Sequence, residues 1–250
     1  MTCPADKIGY ICYLRKMVIT MNLQERLSPI SQVIVALDVD NIARAHELAR
    51  LLQGTGCWLK IGMELYALSG ISLIDEFKSL GFHIFLDLKL HDIPTTVERT
   101  LRVLAASGAD MITVHCLGGY DMMARAADVC HQADTLLMGV TVLTSMDEKH
   151  LADIGVTQDI DNQVVHLAQL AHRAGLDGVV ASAHEVPNLR KQLTEFLLVT
   201  PGIRPAGSET NDQARVLTPQ AALDAGSSYL VVGRPITQSP DPRQALLSLF

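Results

Sequence analysis

Eight short apolar runs, each followed by an amphipathic stretch, limit what this chain can fold into more than any other feature of its sequence. The runs are 33–38 (VIVALD), 57–61 (CWLKI), 83–88 (HIFLDL), 110–115 (DMITVH), 136–142 (LLMGVTV), 177–181 (DGVVA), 196–200 (FLLVT) and 228–232 (SYLVV). They are near-continuous in β-branched residues and leucine rather than strictly alternating, as strands are when helices cover their outer face. Helical stretches lie between them at 42–53, 72–80, 95–107, 119–132, 160–174, 185–194, 218–225 and 242–249. Gly54, Gly81, Gly108, Gly175 and Gly226 stand where helix C-caps belong. Eight β-then-α units in a row predict an α/β chain closed into a single parallel (β/α)8 TIM barrel. An open doubly wound sheet is the competing architecture. It normally has fewer strands and a glycine-rich first turn, where this chain has Asp38-Val39-Asp40-Asn41. The expected catalytic domain is 31–250, with residues 1–30 an N-terminal extension of no assigned role in which Met17 and Met21 are alternative starts.

In such a barrel, chemistry belongs at the C-terminal strand ends. There the sequence places Asp38, Lys60, Asp87, Lys89, His115, Thr144, Ser145 and Ser182. The sharpest local feature is Asp87-Leu88-Lys89-Leu90-His91-Asp92-Ile93-Pro94. Asp87 and Lys89 are two apart at a strand end, so alternation sends both side chains into the barrel mouth. Lys60 and Asp38 close the two preceding strands, which gives charges of alternating sign around the rim. Two like charges about 4 Å apart repel by roughly 4 kcal/mol at an effective dielectric near 20, and interleaved lysines cancel that cost. A structural salt-bridge ring is the plainer explanation and would suffice for one pair. Four charges on three adjacent strands argue for function, because a buried polar network is less stable than apolar packing. Asp92 lies beyond the strand end, poorly placed for the same pocket and able to reach a partner subunit's site. Pro94 suits the first position of the following helix.

The chain after the last two strands is rich in glycine and arginine. Thr200-Pro201-Gly202-Ile203-Arg204-Pro205 leads into small and polar residues 206–212 and then Gln213, and Gly233-Arg234-Pro235-Ile236-Thr237 follows strand eight. These are the usual positions of a phosphate cradle in this fold: glycine admits close backbone N–H groups and arginine supplies a charged fork. Residues 206–212 read as a lid.

Hydrophobic residues make up 48% of the 250 and charged residues 19%, ample for a large core. A net charge of −7 without a basic block argues against nucleic acid or an anionic membrane as partner. No apolar run reaches the roughly 18 residues of a membrane span, and Arg15 and Lys16 interrupt the apolar stretch at 8–19. The five scattered cysteines read as reduced thiols of a cytoplasmic protein. His115 and Cys116 face opposite sides of a strand, and His166 and His172 are six apart on a helix, so neither pair suits a metal. Trp58, Phe85 and the methionines read as core. No nucleotide-binding or zinc-protease motif appears, and no cofactor or metal is expected.

Over residues 33 to about 245 the chain resembles the orotidine 5′-monophosphate decarboxylases. Phe85-Leu-Asp-Leu-Lys-Leu-His-Asp-Ile-Pro-Thr-Thr96 is similar to the family signature D-x-K-x-x-D-[IV]-x-x-T. Ala36-Leu37-Asp38, Leu59-Lys60-Ile61-Gly62, Val142-Leu143-Thr144-Ser145, Thr200–Arg204, Asp212-Gln213 and Val232-Gly233-Arg234 are further matches. The resemblance implies a cofactor-free carboxy-lyase of pyrimidine biosynthesis that converts orotidine 5′-monophosphate to uridine 5′-monophosphate, working as a homodimer with shared active sites. It implies Lys89 as proton donor, Asp87 beside the substrate carboxylate, and Asp38 and Lys60 on the ribose hydroxyls. Asp92, Ile93 and Thr96 would come from the partner chain, Thr144 and Ser145 would contact the pyrimidine, and Arg204, Gln213, Gly233 and Arg234 would serve the phosphate.

Two rival readings stay in view. Metal-dependent barrels of the same superfamily, the keto-gulonate-phosphate decarboxylases and hexulose-phosphate synthases, carry a similar D-x-K-x-x-D. They place an acidic metal ligand where this chain has Lys60, a cation that would repel Mg²⁺. The other rival is a non-catalytic phosphate-binding barrel, which has no need of both Lys60 and Lys89.

Overall fold

The structure, a computed structural model, describes residues 28–205 and 217–250. Eight strands close into an all-parallel barrel in sequence order. They are β1 (Val33–Ala36), β2 (Trp58–Gly62), β3 (Ile84–Leu90), β4 (Met111–His115), β5 (Leu136–Val140), β6 (Gly178–Val180), β7 (Leu197–Thr200) and β8 (Tyr229–Val232). Each falls on a predicted run. Eight of the helices fall on the predicted stretches: α1 (Ile42–Leu52), α3 (Ser72–Ser79), α4 (Pro94–Ala106), α5 (Gly119–Gln132), α7 (Ile160–Arg173), α8 (Val186–Gln192), α9 (Pro219–Asp224) and α11 (Pro242–Leu247). Three more were not expected: α2 (Met63–Ser69), α6 (Glu148–Asp153) and α10 (Arg234–Thr237). No helix among the described residues is long and apolar enough to cross a membrane.

The apolar residues divide between two cores. Outward-facing strand residues such as Val35, Leu59, Leu86 and Ile112 pack under the helices, against Leu48, Phe77, Leu101 and Met123. Inward-facing residues fill the barrel itself: Ile34, Ala36, Trp58, Phe85, Met111, Met138, Leu197, Val199, Tyr229 and Val231. Trp58 and Tyr229, which open β2 and β8, gather at the N-terminal end of the barrel. Trp58 stacks on His83 with ring centroids 4.7 Å apart and meets Tyr229 edge-on at 5.2 Å. Burial, with Asp110 nearby, pushes the Tyr229 hydroxyl up to about 12. The barrel is therefore plugged below, and its polar inward positions are left to the opposite rim. Met63 departs from the expectation that the methionines are core: it opens α2 on the surface.

One device recurs three times at the N-terminal end. The residue before β4, Asp110, accepts the backbone N–H of Ile84 on β3 at 2.7 Å. The residue before β6, Asp177, accepts that of Leu137 on β5 at 2.8 Å. The residue before β8, Ser228, accepts that of Leu198 on β7 at 3.1 Å. Each acceptor also meets a basic side chain from the helix that precedes the odd-numbered strand. Lys78 of α3 binds both Asp110 oxygens at 2.8 Å, His131 of α5 lies 3.4 Å from Asp177, and Arg190 of α8 donates to Ser228 at 3.0 Å. Sheet, helix and inter-strand loop thus meet at a similar polar junction in the pairs β3–β4, β5–β6 and β7–β8. Gly226, at φ +107, holds the turn beside the last junction; a Cβ there would come within 2.9 Å of the Arg190 side chain.

Candidate active site

The predicted cluster of charges forms at the C-terminal rim. Lys60 on β2 places Nζ 2.8 Å from Oδ1 of Asp38, just past β1, and 3.5 Å from Oδ2 of Asp87 on β3. Lys89 places Nζ 2.8 Å from the other oxygen of Asp87. Asp38, Lys60, Asp87 and Lys89 therefore form one chain of alternating sign. Its middle is sheltered and its ends are wet: side-chain exposure is 9% for Lys60 and 12% for Asp87, but 29% for Lys89 and 65% for Asp38. Burial alone would drive the Asp87 carboxyl up, yet Lys60, Lys89 and the hydrogen bonds from Lys89 and Thr113 hold it below the ordinary aspartate range. Burial likewise works against the Lys60 ammonium, and Asp87 and Asp38 outweigh it and raise its pKa. Both central groups are thus charged at neutral pH. Gly62, inward-facing at the end of β2, keeps clear of this pair: a Cβ would sit 3.1 Å from Asp38 Oδ1 and 3.3 Å from Lys60 Nζ.

Lys89 reaches the mouth by an irregular backbone rather than by simple alternation. Leu86 pairs with Ile112, but Leu90 pairs with Val114, so β3 advances four residues while β4 advances two. Lys89 takes up the excess at φ 52, a left-handed conformation that costs a non-glycine residue about 1 kcal/mol or more. Its backbone N–H donates to the Thr113 hydroxyl on β4 at 2.8 Å, and that hydroxyl donates to Asp87 Oδ1 at 3.1 Å. Beyond Lys89 the rings of His91 and His115 stack 5.5 Å apart. Burial, reinforced by His91 and Lys89, pushes the His115 pKa below its ordinary value, and Nδ1 of His115 accepts from the Leu117 N–H at 3.3 Å.

The rim encloses a cavity of about 530 Å³, within the range of small-molecule sites. Its floor is apolar, with Ala36, Phe85, Val140, Val180 and Val231. Its walls bring together eight of the residues singled out in the sequence: Asp38, Lys60, Asp87, Lys89, Thr144, Arg204, Gly233 and Arg234. The charge chain comes from β1–β3 and the arginines from the segments after β7 and β8, and β8 pairs with β1 to close the ring. Arg204 is buried and donates from Nη1 to the Ile203 carbonyl at 2.9 Å. Its backbone N–H donates to the Leu217 carbonyl at 3.1 Å, which ties the chain after β7 to the entry of α9. Gly233 and Arg234 begin α10, and Arg44 of α1 holds the far end of that turn by donating to the Thr237 carbonyl at 3.0 Å. Gln213 and the expected lid, 206–212, lie outside the described residues.

Of the strand-end residues His115 and Ser182 do not line the cavity, and four residues to which the resemblance gives a site role are not brought into it. Ser145 is exposed on the turn after Thr144. Asp92, Ile93 and Thr96 face solvent at the start of α4, with Ile93 66% exposed and the Asp92 carboxylate accepting the Ile93 N–H at 2.6 Å. Thr237, the last residue of the segment read after strand eight, lines the cavity. Gln238, one residue past that segment, also lines it and was not anticipated, nor was Thr113 beneath it. Thr113 reads as one more β-branched residue of a buried strand. Among the described residues, no group of three or more His, Cys, Asp or Glu is arranged to hold a metal ion.

A family model described as Orotidine 5'-phosphate decarboxylase / HUMPS family matches residues 31–249. The orotidine 5'-phosphate decarboxylase of Hydrogenovibrio crunogenus is 50% identical over 223 residues, covering 88% of this chain and 94% of the relative. That of Nitrosococcus oceani is 49% identical over 222 residues, covering 88% and 96%. The crystal structure of orotidine 5'-phosphate decarboxylase from Lactobacillus acidophilus superposes with a TM-score of 0.78 at 40% identity, covering 87% of this chain and 96% of that one. With its family match spanning nearly the whole barrel and 50% identity over 223 residues to a curated relative, the chain belongs to the orotidine 5'-phosphate decarboxylase / HUMPS family.

Proposed function

We propose that this protein decarboxylates orotidine 5′-monophosphate to uridine 5′-monophosphate and CO₂, the closing step of pyrimidine-nucleotide synthesis, with Lys89 as the proton donor. The observation that carries the reading is the Asp38–Lys60–Asp87–Lys89 chain lining one cavity with two arginines, in a protein 50% identical over 223 residues to a named orotidine 5'-phosphate decarboxylase. Loss of CO₂ from pyrimidine C6 leaves an sp² carbanion that the ring π system cannot delocalise. The protein has to stabilise that charge where it forms, and a fixed ammonium does so and then delivers the proton. Lys89 is such a group, tethered by Asp87. Asp87, held ionised, also stands where it repels a substrate carboxylate; we rank this second to carbanion stabilisation. Asp38 and Lys60 serve the ribose hydroxyls, Thr144 and Ser145 the pyrimidine, and Arg204, Gln213, Gly233 and Arg234 the phosphate, whose binding energy orients the reacting end.

The reading extends to a homodimer in which Asp92, Ile93 and Thr96 complete the partner's site. Their exposure supports it, as do other uncovered apolar side chains at the same barrel end: Met63 and Leu68 after β2, Leu117 and Tyr120 after β4. A cytoplasmic location fits the buried thiols of Cys57, Cys116 and Cys130. Lys60 opposes the metal-dependent reading, since its ammonium sits between the two carboxylates that a cation would need. The decisive measurement is the ultraviolet absorbance change of orotidine 5′-monophosphate with purified protein, before and after exhaustive EDTA treatment. Equal turnover in both samples is expected. Turnover abolished by EDTA would favour the metal-dependent barrels, and none in either sample would overturn the proposal.

A further inference from the structure

The hydroxyl of Thr113 occupies a position that determines how it must bond. It is fully buried on β4, below the cavity. A backbone N–H can only donate, so Oγ1 accepts from Lys89 at 2.8 Å. An ionised carboxylate can only accept, so the one hydroxyl proton goes to Asp87 at 3.1 Å. Both contacts exist because β3 carries two residues more than β4 between the pairs Leu86–Ile112 and Leu90–Val114, which sets Asp87 and Lys89 both opposite Thr113. The regular ladder would leave the Lys89 N–H to a β4 carbonyl. In the bulge that N–H would be a buried donor without a partner if Thr113 did not take it, and φ 52 at Lys89 would lose its support.

From this geometry we infer that Thr113 is a positioning residue for the decarboxylation, its single hydroxyl fixing both the left-handed backbone that aims Lys89 and the carboxylate oxygen that Lys89 binds. The inference rests on the reading of Lys89 and Asp87 as catalytic. Valine at 113 keeps the branched shape and the strand preference while removing the hydroxyl, and serine keeps the hydroxyl on a smaller side chain. The other charged or titratable groups around Asp87 stay in place in either variant: Lys60 on β2 with Asp38 beyond it, Lys89 on β3, and the His91–His115 pair beyond Lys89.

The test is steady-state decarboxylation of orotidine 5′-monophosphate by the full chain and its Thr113→Val and Thr113→Ser variants, with Thr113→Ala in reserve should the valine variant not fold. A ¹³C-detected titration of the Asp87 carboxyl accompanies it. For valine, kcat is expected to fall about 100-fold, the order found when a reacting group is displaced by about an ångström. KM should stay within about threefold, and serine should restore kcat to within about fivefold of the parent. The Asp87 midpoint should move upward in the valine variant and not in the serine variant, because a hydrogen bond to the charged form has been removed. A valine kcat within about threefold of the parent, a serine variant as impaired as valine, or an unmoved Asp87 midpoint overturns the inference. If the parent itself does not turn over the substrate, the catalytic reading fails, and the Asp87 titration still decides whether Thr113 holds that carboxylate.

Discussion

In the proposed reaction Lys89 acts through its surroundings as much as through its charge. On a flexible stem an ammonium samples many rotamers; here Asp87 holds Nζ at 2.8 Å and Thr113 holds the backbone, so little ordering is left for the reaction itself. Removing the side chain should leave the fold intact, because Asp87 keeps Lys60 at 3.5 Å and the Thr113 hydroxyl at 3.1 Å. Lys89→Ala is therefore expected to lower kcat by at least about a thousandfold with the thermal midpoint within a few degrees of the parent. Activity within tenfold of wild type would remove Lys89 from the role. At this scale the charges were legible because Asp and Lys at strand ends are rare and their spacing is simple. Thr113 was not, because its role depends on a register shift between two strands, and nothing in the string Met-Ile-Thr-Val-His signals one. Alternation also gave the right convergence of Asp87 and Lys89 for an incomplete reason, since the bulge at Lys89 is what completes it.

The elements were the most legible part of the molecule, and those that escaped did so for identifiable reasons. The strands fall within about two residues of the predicted runs because burial on both faces forces near-continuous apolar sequence. In α2 only Leu65 is buried, while Met63 and Leu68 face outward, so the helical period is blurred. In α6 six residues give too short a window for a period, although Asp147 and His150 form a capping box. The polar junctions beneath the barrel also escaped, since Asp110 and Asp177 look like ordinary pre-strand turn residues until the neighbouring strand is placed. Their weight can be measured. Asp110→Ala strands the Ile84 N–H and the Lys78 ammonium, and about 2 kcal/mol of stability at neutral pH should be lost in urea denaturation. Burial raises the Asp110 carboxyl, but His83, Lys78 and the Ile84 N–H together bring it below the usual range. A depressed carboxyl stabilises the fold fully above its unfolded pKa of about 3.9, and that contribution disappears as pH falls through the lower folded value. The gap between parent and variant should accordingly narrow below about pH 4. A variant within about 0.5 kcal/mol of the parent at pH 7 would show the junction to be incidental.

For the whole molecule, one barrel holds only part of the proposed site. The cavity gathers the charge chain and both arginines, yet Asp92, Ile93 and Thr96, which the family signature includes, point away from it into solvent. Asp92 follows Lys89 by three residues, but the chain turns at Ile93 and Pro94 into α4, so the two side chains diverge within one protomer. The proposed two-fold partner would resolve this, because an isologous contact between the rims would set each protomer's Asp92 against the other's cavity. The arrangement has a consequence that no single-chain site shares. Lys89→Ala and Asp92→Ala should each be inactive as pure proteins, since every site lacks one of the two groups. Mixed and allowed to exchange subunits, they form hybrids in which one site has lost both groups and the other has kept both. With equal amounts and random pairing, half the dimers are hybrids with one intact site in two, so activity should recover to about a quarter of the parent value. The check is the absorbance assay on the mixture against time of exchange, with each variant alone as control. If both groups acted from the same chain, no pairing could rebuild a site, and the mixture would stay as inactive as its components.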